Sequence, residues 1–396
     1  MAGKGYDVDD RVAGNGRRLM GERDLYLAST PMIALLAAGA ALQHGGRARL
    51  VVIEDFDLAP RLIEVLQRWR DCPFETIHRL PGRYTEHQRG AGDDRHQVGN
   101  FVHRLRVKRE LRQRTLEVLR SIDRDFLPDS VWVGNDRKVE TQYALHLASE
   151  RLRARAGRYL DDGLYSYLGD VRQRPLVRRI DWLVKRLMYG AWWHRADQAG
   201  TSPWIAEAWL AFPGDARDRD PARSRRRLPP TWFRHRSFLR LSALLAREFA
   251  VDRAALRACA MVLVLPHSNQ LRADPVLAGG LAELVAAATA RGDTVAVKYH
   301  PREVTADPAR LLDNARVIGL PTLAPMEMLL PLLPPGALLA GEGSTALLAA
   351  HWLRPDLRVY DLGLGRDGYA ARAREFFARH GIASVHGDLR ELVGAR

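Results

Sequence analysis

At 396 residues the chain is too long for one ordinary domain and suits two, and its 46% apolar content can furnish two cores. Its two cysteines, Cys72 and Cys259, stand far apart without close Cys or His partners, which argues against a disulfide framework or a zinc site and for a reducing compartment. The formal net charge of +14, carried mainly by arginine, favours polyanions of any kind, whether nucleic acid, anionic lipid, anionic glycan or nucleotide, and also fits a general arginine bias. Residues 1–23 form a polar, Gly- and Arg-rich tail with no apolar core of a secretory signal. No run reaches the roughly 18–20 apolar residues of a membrane span. The nearest, 320–340, is cut by Pro321, Pro325, Pro331, Pro334 and Pro335 and carries Glu327, so it reads as a short helix and a buried strand.

In chain order, Leu25–Ser29 reads as a strand, and Pro31 opens an apolar helix to Leu42. Arg49–Ile53 is the next strand, followed by a helix over Leu58–Trp69 and a third strand near Phe74–His78. Val102–Ile122 is a long basic helix. Ser130–Gly134 is a strand that leads through Asn135-Asp136 into a helix ending near Arg151, and Gly157–Leu160 is a strand ending at Asp161. Alternation of this kind implies a parallel sheet covered on both faces. The rhythm breaks over residues 171–255, which are rich in Trp, Arg and Pro and read as a basic insertion or linker. A second alternation follows: strands at Ala260–Leu265, Thr294–Tyr299, Ala315–Ile318, Ala337–Ala340 and Arg358–Asp361, with a helix over Pro275–Arg291. The expected fold is therefore α/β, with Rossmann-like domains over 24–170 and 256–396 facing a cleft. That layout matches the glycosyltransferase-B (GT-B) architecture, in which ligands bind beyond the carboxyl ends of the strands.

Three short motifs sit at such strand ends. Asp161-Asp162-Gly163 offers two adjacent carboxylates, one able to act as a base with a pKa raised by its neighbour, and a glycine for a tight turn; it also reads as a plain Asp-Gly turn. His300-Pro301 offers an imidazole that can bond a phosphate oxygen and give it a proton, with Lys298 and Arg302 nearby; it also reads as a loop histidine. Gly341-Glu342-Gly343-Ser344-Thr345 joins a buried strand to a small-residue helix. Its N–H groups and two hydroxyls can cradle a phosphate, or Ser344 and Thr345 can simply cap the helix. The lysine of a P-loop is missing.

Taken together and in this order, Asp161-Asp162-Gly163, His300-Pro301 and Ser344-Thr345 resemble the bacterial sialyltransferases, whose pattern is Asp/Glu-Asp/Glu-Gly, His-Pro and Ser-Ser/Thr. The resemblance covers the layout from about Leu25 to Ala350. Val133-Gly134-Asn135-Asp136 and Asp161-Asp162-Gly163-Leu164 look most like the polysialyltransferase group. It implies an inverting, metal-independent transfer of sialic acid, or a related nonulosonic acid, from its CMP-activated form to a glycan acceptor that is free or lipid-linked. Such work belongs to capsule or lipooligosaccharide synthesis in a bacterial cytoplasm, with or without peripheral contact at the inner face of the membrane. In the roles it implies, Asp161 takes the acceptor proton with Asp162 in support. His300, beside Pro301, stabilises the departing phosphate, which Gly343, Ser344 and Thr345 hold, and Glu342 bonds the ribose. No cofactor beyond the CMP-sugar is implied, and no metal: the nearest Asp-X-Asp, Asp55-Phe56-Asp57, reads as a helix start.

Ser29, Thr30, Asn135, Asp136, His267 and Asn269 also follow predicted strands and are candidates to line the cleft; each equally suits a helix cap. Arg178–Trp193 reads either as a core helix with a basic outer face or as an amphipathic helix on an anionic membrane. Two competing readings remain. One keeps the fold and changes the donor to a Kdo-like CMP-sugar. The other is a basic nucleic-acid- or membrane-binding protein on a degenerate GT-B fold. It explains the charge but not three motifs in order, so nucleic acid is not an expected partner.

Overall fold

The computed structural model describes residues 22–85, 97–169, 175–196, 198–216, 220–363, 368–385 and 387–394. They form two α/β units, each around one parallel sheet. The first sheet has seven strands: β1 (Arg23–Ala28), β2 (Arg47–Glu54), β3 (Thr76–Pro81), β4 (Ser130–Val133), β5 (Gly157–Leu160), β6 (Ile205–Leu210) and β7 (Ser224–Arg227), in the order β3-β2-β1-β4-β5-β6-β7. The second has six: β8 (Cys259–Val264), β9 (Thr294–Lys298), β10 (Val317–Leu320), β11 (Leu338–Gly341), β12 (Arg358–Asp361) and β13 (Ala383–Ser384), in the order β10-β9-β8-β11-β12-β13. Two doubly wound units of this topology make the GT-B fold.

The central strands are apolar on both faces because helices cover both sides, as a parallel sheet requires. Tyr26, Leu50, Val52, Val262, Ala296 and Leu339 are fully buried. In each sheet the strand order reverses beside the first strand of the unit, between β1 and β4 and between β8 and β11. A crevice opens at such a reversal, because the chain leaves the two neighbouring strands in opposite directions. The residues that follow β8 and β11 line the space between the units, joined by Pro31 after β1, and those after β11 are Glu342, Gly343, Ser344 and Thr345.

The two units share a core. One apolar cluster runs from Ile33, Leu36 and Trp132 in the first, through Phe233, Phe238 and Leu241, to Met328, Leu330, Leu347 and Phe376 in the second. The helix Arg236–Glu248 is the bridge. It buries Phe238, Leu241, Leu245 and Ala246, is capped by His235, whose Nδ1 accepts from Ser237 N–H at 3.3 Å, and receives the Trp69 indole N–H on Ser237 O at 3.0 Å. Burying each of its large side chains contributes about 1.5–3 kcal/mol.

Most expected elements lie within a few residues of their places. Residues 171–255, expected as an insertion or linker, are the exception. They supply β6, β7 and the bridging helix, so the first sheet continues past residue 170 and the bridge belongs to both units. The reason is local. The edge strand β7 reads Ser-Arg-Arg-Arg, all four exposed, and carries no apolar signal. Among the described residues no helix is long and apolar enough to cross a membrane.

Candidate active site

The acidic motif follows β5. Asp161 is 2% exposed and fully engaged. Its Oδ1 accepts from Gly163 N–H at 2.9 Å, and its Oδ2 accepts from Ala211 N–H at 2.8 Å and from the Tyr167 hydroxyl. Burial pushes this carboxyl up, against those hydrogen bonds. Both Asp161 oxygens thus turn inward onto protein donors, where an acid open to the acceptor was expected. Asp161 ties β5 to the end of β6 and positions the next residue. Tyr167 in turn stacks on Phe376 of the second unit, with ring centroids 4.7 Å apart, so the anchor of the motif spans the seam between units.

Asp162 is different. Its backbone N–H donates to Ser166 Oγ at 2.8 Å, but its carboxylate makes no hydrogen bond among the described residues. Loss of hydration pushes that carboxyl up to about 8; the Asp161 charge adds to the shift and Lys138 opposes it. It is a half-buried, unengaged carboxyl poised near neutrality, the state a general base needs.

Gly163 closes the motif with φ 66° and ψ −143°, a region open in practice only to glycine. A Cβ here would lie 2.1 Å from the Thr345 methyl carbon. The acidic motif of the first unit thus sits in van der Waals contact with the hydroxyl motif of the second.

That second motif begins at the carboxyl end of β11. Gly341 permits close approach to β8, since a Cβ would meet Val264 O at 2.7 Å. Gly343 takes φ 51°, and its N–H donates at 2.9 Å to Oδ1 of Asp361, buried at the end of β12. Ser344 is the N-cap of helix Thr345–Leu353, its Oγ accepting from Ala346 N–H at 3.2 Å. The cap leaves the hydroxyl proton free to donate, beside the positive end of a helix.

His300 follows β9. Its Nδ1 accepts from Arg302 N–H at 3.1 Å, which assigns the proton of the neutral ring to Nε2. Burial lowers its pKa, helped by Arg302, His267 and Lys298. The His267 ring stands edge-on at 5.7 Å.

His300, Pro301, His267, Asn269, Glu342, Gly343, Ser344 and Thr345 all line one interdomain cleft of about 1000 Å³, together with Pro31 and Phe56 of the first unit. Two further residues belong to that wall: Lys298, expected only as charge near His300, and Glu327, which sequence reasoning did not place in the site. Lys298 is 3% exposed and donates to Thr322 O at 2.8 Å. Burial drops its ammonium to about 8, against the attraction of Glu327, whose own carboxyl burial pushes up. The one signal was a lone glutamate in the apolar, proline-broken run.

The other candidates divide. Thr30 caps the helix Pro31–His44 through Ile33 N–H at 3.2 Å, and Ser29 is buried beside it; of that turn only Pro31 reaches the cleft wall. Asp136, expected to line the cleft, is instead fully buried and holds the 198–202 turn, accepting from Gly200 N–H at 2.9 Å and Ser202 N–H at 2.7 Å. Asn135 lines a second, polar cavity of about 470 Å³ with Arg83, Arg112, Arg137, Lys138 and Lys185. Asp162 lines neither cavity itself, but Gly163 beside it touches Thr345 of the cleft, and Lys138, which lines the second cavity, pulls on its charge. Among the described residues no three His, Cys, Asp or Glu side chains are grouped to hold a metal ion.

No family model matches the chain, and no curated protein does. Solved structures do align with it along nearly its whole length. UDP-GlcNAc 2-epimerase from Neisseria meningitidis, bound to UDP-GlcNAc, is 11% identical at TM-score 0.49, over 94% of this chain and 89% of that one. The alpha/beta-galactoside alpha-2,3-sialyltransferase of Photobacterium phosphoreum is 9% identical at TM-score 0.49, over 92% and 98%. The sialyltransferase of Photobacterium damsela is 8% identical at TM-score 0.46, over 93% and 82%. At such identities the likeness is one of fold.

Proposed function

We propose that the protein is an inverting glycosyltransferase that moves a nonulosonic acid, sialic acid in the first instance, from its CMP-activated form to a glycan acceptor. The observation that carries the reading is the contact of Gly163 with Thr345, which sets an unengaged carboxyl beside a phosphate-type cradle across the seam of two units.

In this reading the donor lies in the larger cleft. Ser344 Oγ–H, the N–H groups at the start of helix Thr345–Leu353 and His300 Nε2–H bond its phosphate, and buried Lys298 adds charge. These groups fill the role that a cation plays elsewhere. Glu327, a carboxylate in the same wall, suits the ribose hydroxyls, which donate, and not the phosphate, which repels it. The acceptor hydroxyl reaches Asp162 from the second cavity, by way of Lys138, which lines it. Asp162 takes its proton as the oxygen attacks the anomeric carbon from the face opposite the phosphate. The bond from that carbon to the phosphate oxygen breaks with its electron pair going to that oxygen, and the neutral His300 ring stabilises the departing CMP phosphate by a hydrogen bond from Nε2–H, keeping its proton. Asp161 positions Asp162 and takes no proton.

The donor sugar is named from the motif resemblance alone. Both a sialic acid and a Kdo-like acid carry a carboxylate beside the anomeric carbon. The test is CMP release from a panel of CMP-sugars with purified protein and glycan acceptors. Acceptor-dependent release from CMP-sialic acid supports the reading, release from CMP-Kdo alone moves it to the other donor, and release from neither removes it.

A further inference from the structure

The helix Pro175–Tyr189 carries its apolar side outward. Toward the protein, Lys185 and Tyr189 line the polar cavity, and the Arg112 guanidinium lies 5.6 Å from the Tyr189 ring. Away from it, Ile180 is 56% exposed, Leu183 52%, Val184 47%, Leu187 78% and Met188 65%. Their spacing of three, four, seven and eight residues puts them on one face of the helix. With Trp182, six of the thirteen large exposed apolar side chains among the described residues fall within this one stretch. Scattered exposure needs no partner, but a contiguous patch does.

The surroundings of the patch select the partner. Arg179 is exposed on the same helix, and Arg109 and Arg106, the latter paired with Glu110 at 3.0 Å, are exposed on the neighbouring helix Gln97–Phe126, one to two turns from Arg112. Apolar knobs beside a fringe of guanidinium groups complement a surface that is apolar beneath and anionic above. We propose that this face docks on an anionic lipid bilayer, with the helix lying in the plane of the surface. Ile180, Leu183, Val184, Leu187 and Met188 enter the boundary between head groups and acyl chains, and the arginines meet lipid phosphates. Lys185 and Tyr189 place the polar cavity next to that surface. Docking stands independently of the transferase reading; only the use of the cavity for membrane-borne acceptors rests on it.

The test is co-sedimentation of the full chain with vesicles of phosphatidylcholine alone or mixed with phosphatidylglycerol. The expected result is binding to the mixed vesicles at least about tenfold tighter than to phosphatidylcholine. Leu183→Gln/Leu187→Gln should lose about tenfold or more of that binding while its circular dichroism and its transfer to a soluble acceptor stay at the wild-type level. Arg109→Gln/Arg179→Gln should lose the preference for the anionic lipid. The proposal is overturned if the wild type stays in the supernatant, if the leucine pair binds as tightly as the wild type, or if light scattering shows a dimer that the leucine changes dissociate, since a second copy would then cover the face.

Discussion

Replacing Asp162 by Asn separates the account from a purely structural view of the acidic motif. The Asp162 carboxyl is raised from 3.8 to about 8. A raised acid is neutral in the folded protein over a range where it is charged in the unfolded chain. Folding therefore binds a proton, and the destabilisation from forcing the charge grows from pH 4 upward and is complete above about 8. Four units correspond to about 5–6 kcal/mol at about 1.4 kcal/mol per unit, an upper bound. Asp162 keeps a solvent-facing side and Lys138 opposes the shift, so screening reduces the realised penalty to about 1–2 kcal/mol. Asp162→Asn should match the wild type in stability near pH 4 and exceed it by about that amount at pH 9, read by urea unfolding at both values. Its CMP-release rate should fall by about a hundredfold or more. A variant no more stable at pH 9 than at pH 4 relative to wild type, or one that keeps its rate, would refute the reasoning.

The remaining predictions concern the other two motifs. His300→Ala, which removes the Nε2–H donor to the departing phosphate, should lower kcat by about tenfold to a hundredfold with a smaller change in donor KM; a change in KM alone would make His300 a ground-state binding group only. Ser344→Ala should cost about 1 kcal/mol of stability through the lost helix cap and weaken CMP binding by about tenfold in calorimetry, whereas unaltered CMP affinity would confine Ser344 to capping. Gly163→Ala meets both the Thr345 methyl and a backbone region closed to alanine, so it should cost about 1–3 kcal/mol and most activity. Adding Thr345→Ala should restore part of the stability but not all, and full restoration would mean the backbone was never strained. Lys298 carries its charge only below about 8, so CMP affinity in the unliganded cleft should fall as pH rises past that value, and a Lys298→Met variant should lack the fall.

Much of this molecule was legible in its sequence because parallel strands buried on both faces read as apolar runs. Tyr26, Val51, Val262 and Val297 announced their strands in that way. The strands of 171–255 were hidden, because β6 alternates weakly among tryptophans and β7 is arginine at a sheet edge, where solvent and not the core decides composition. The motifs were legible as positions but not as orientations. Adjacent acids on an extended segment point to opposite sides, so one of Asp161 and Asp162 must turn inward, and only the loop after β6, which brings Ala211 N–H to Asp161, decides which. Asp136 turned inward for the same kind of reason, met by Gly200 and Ser202 N–H groups some sixty residues further on. Lys298 and Glu327 could not be paired from sequence, because β9 and the short helix Met326–Leu329 meet only in the folded wall.

Joined to the seam by Tyr167 on Phe376 and Gly163 on Thr345, the acidic motif depends on how the two units sit together. The most direct measurement is a crystal structure with CMP bound. The account predicts one phosphate within hydrogen-bond reach of both His300 Nε2 and Ser344 Oγ, with the Asp162 carboxylate facing the open side of that phosphate. A CMP whose phosphate meets neither residue, or lies in the polar cavity beside Lys185, would contradict it.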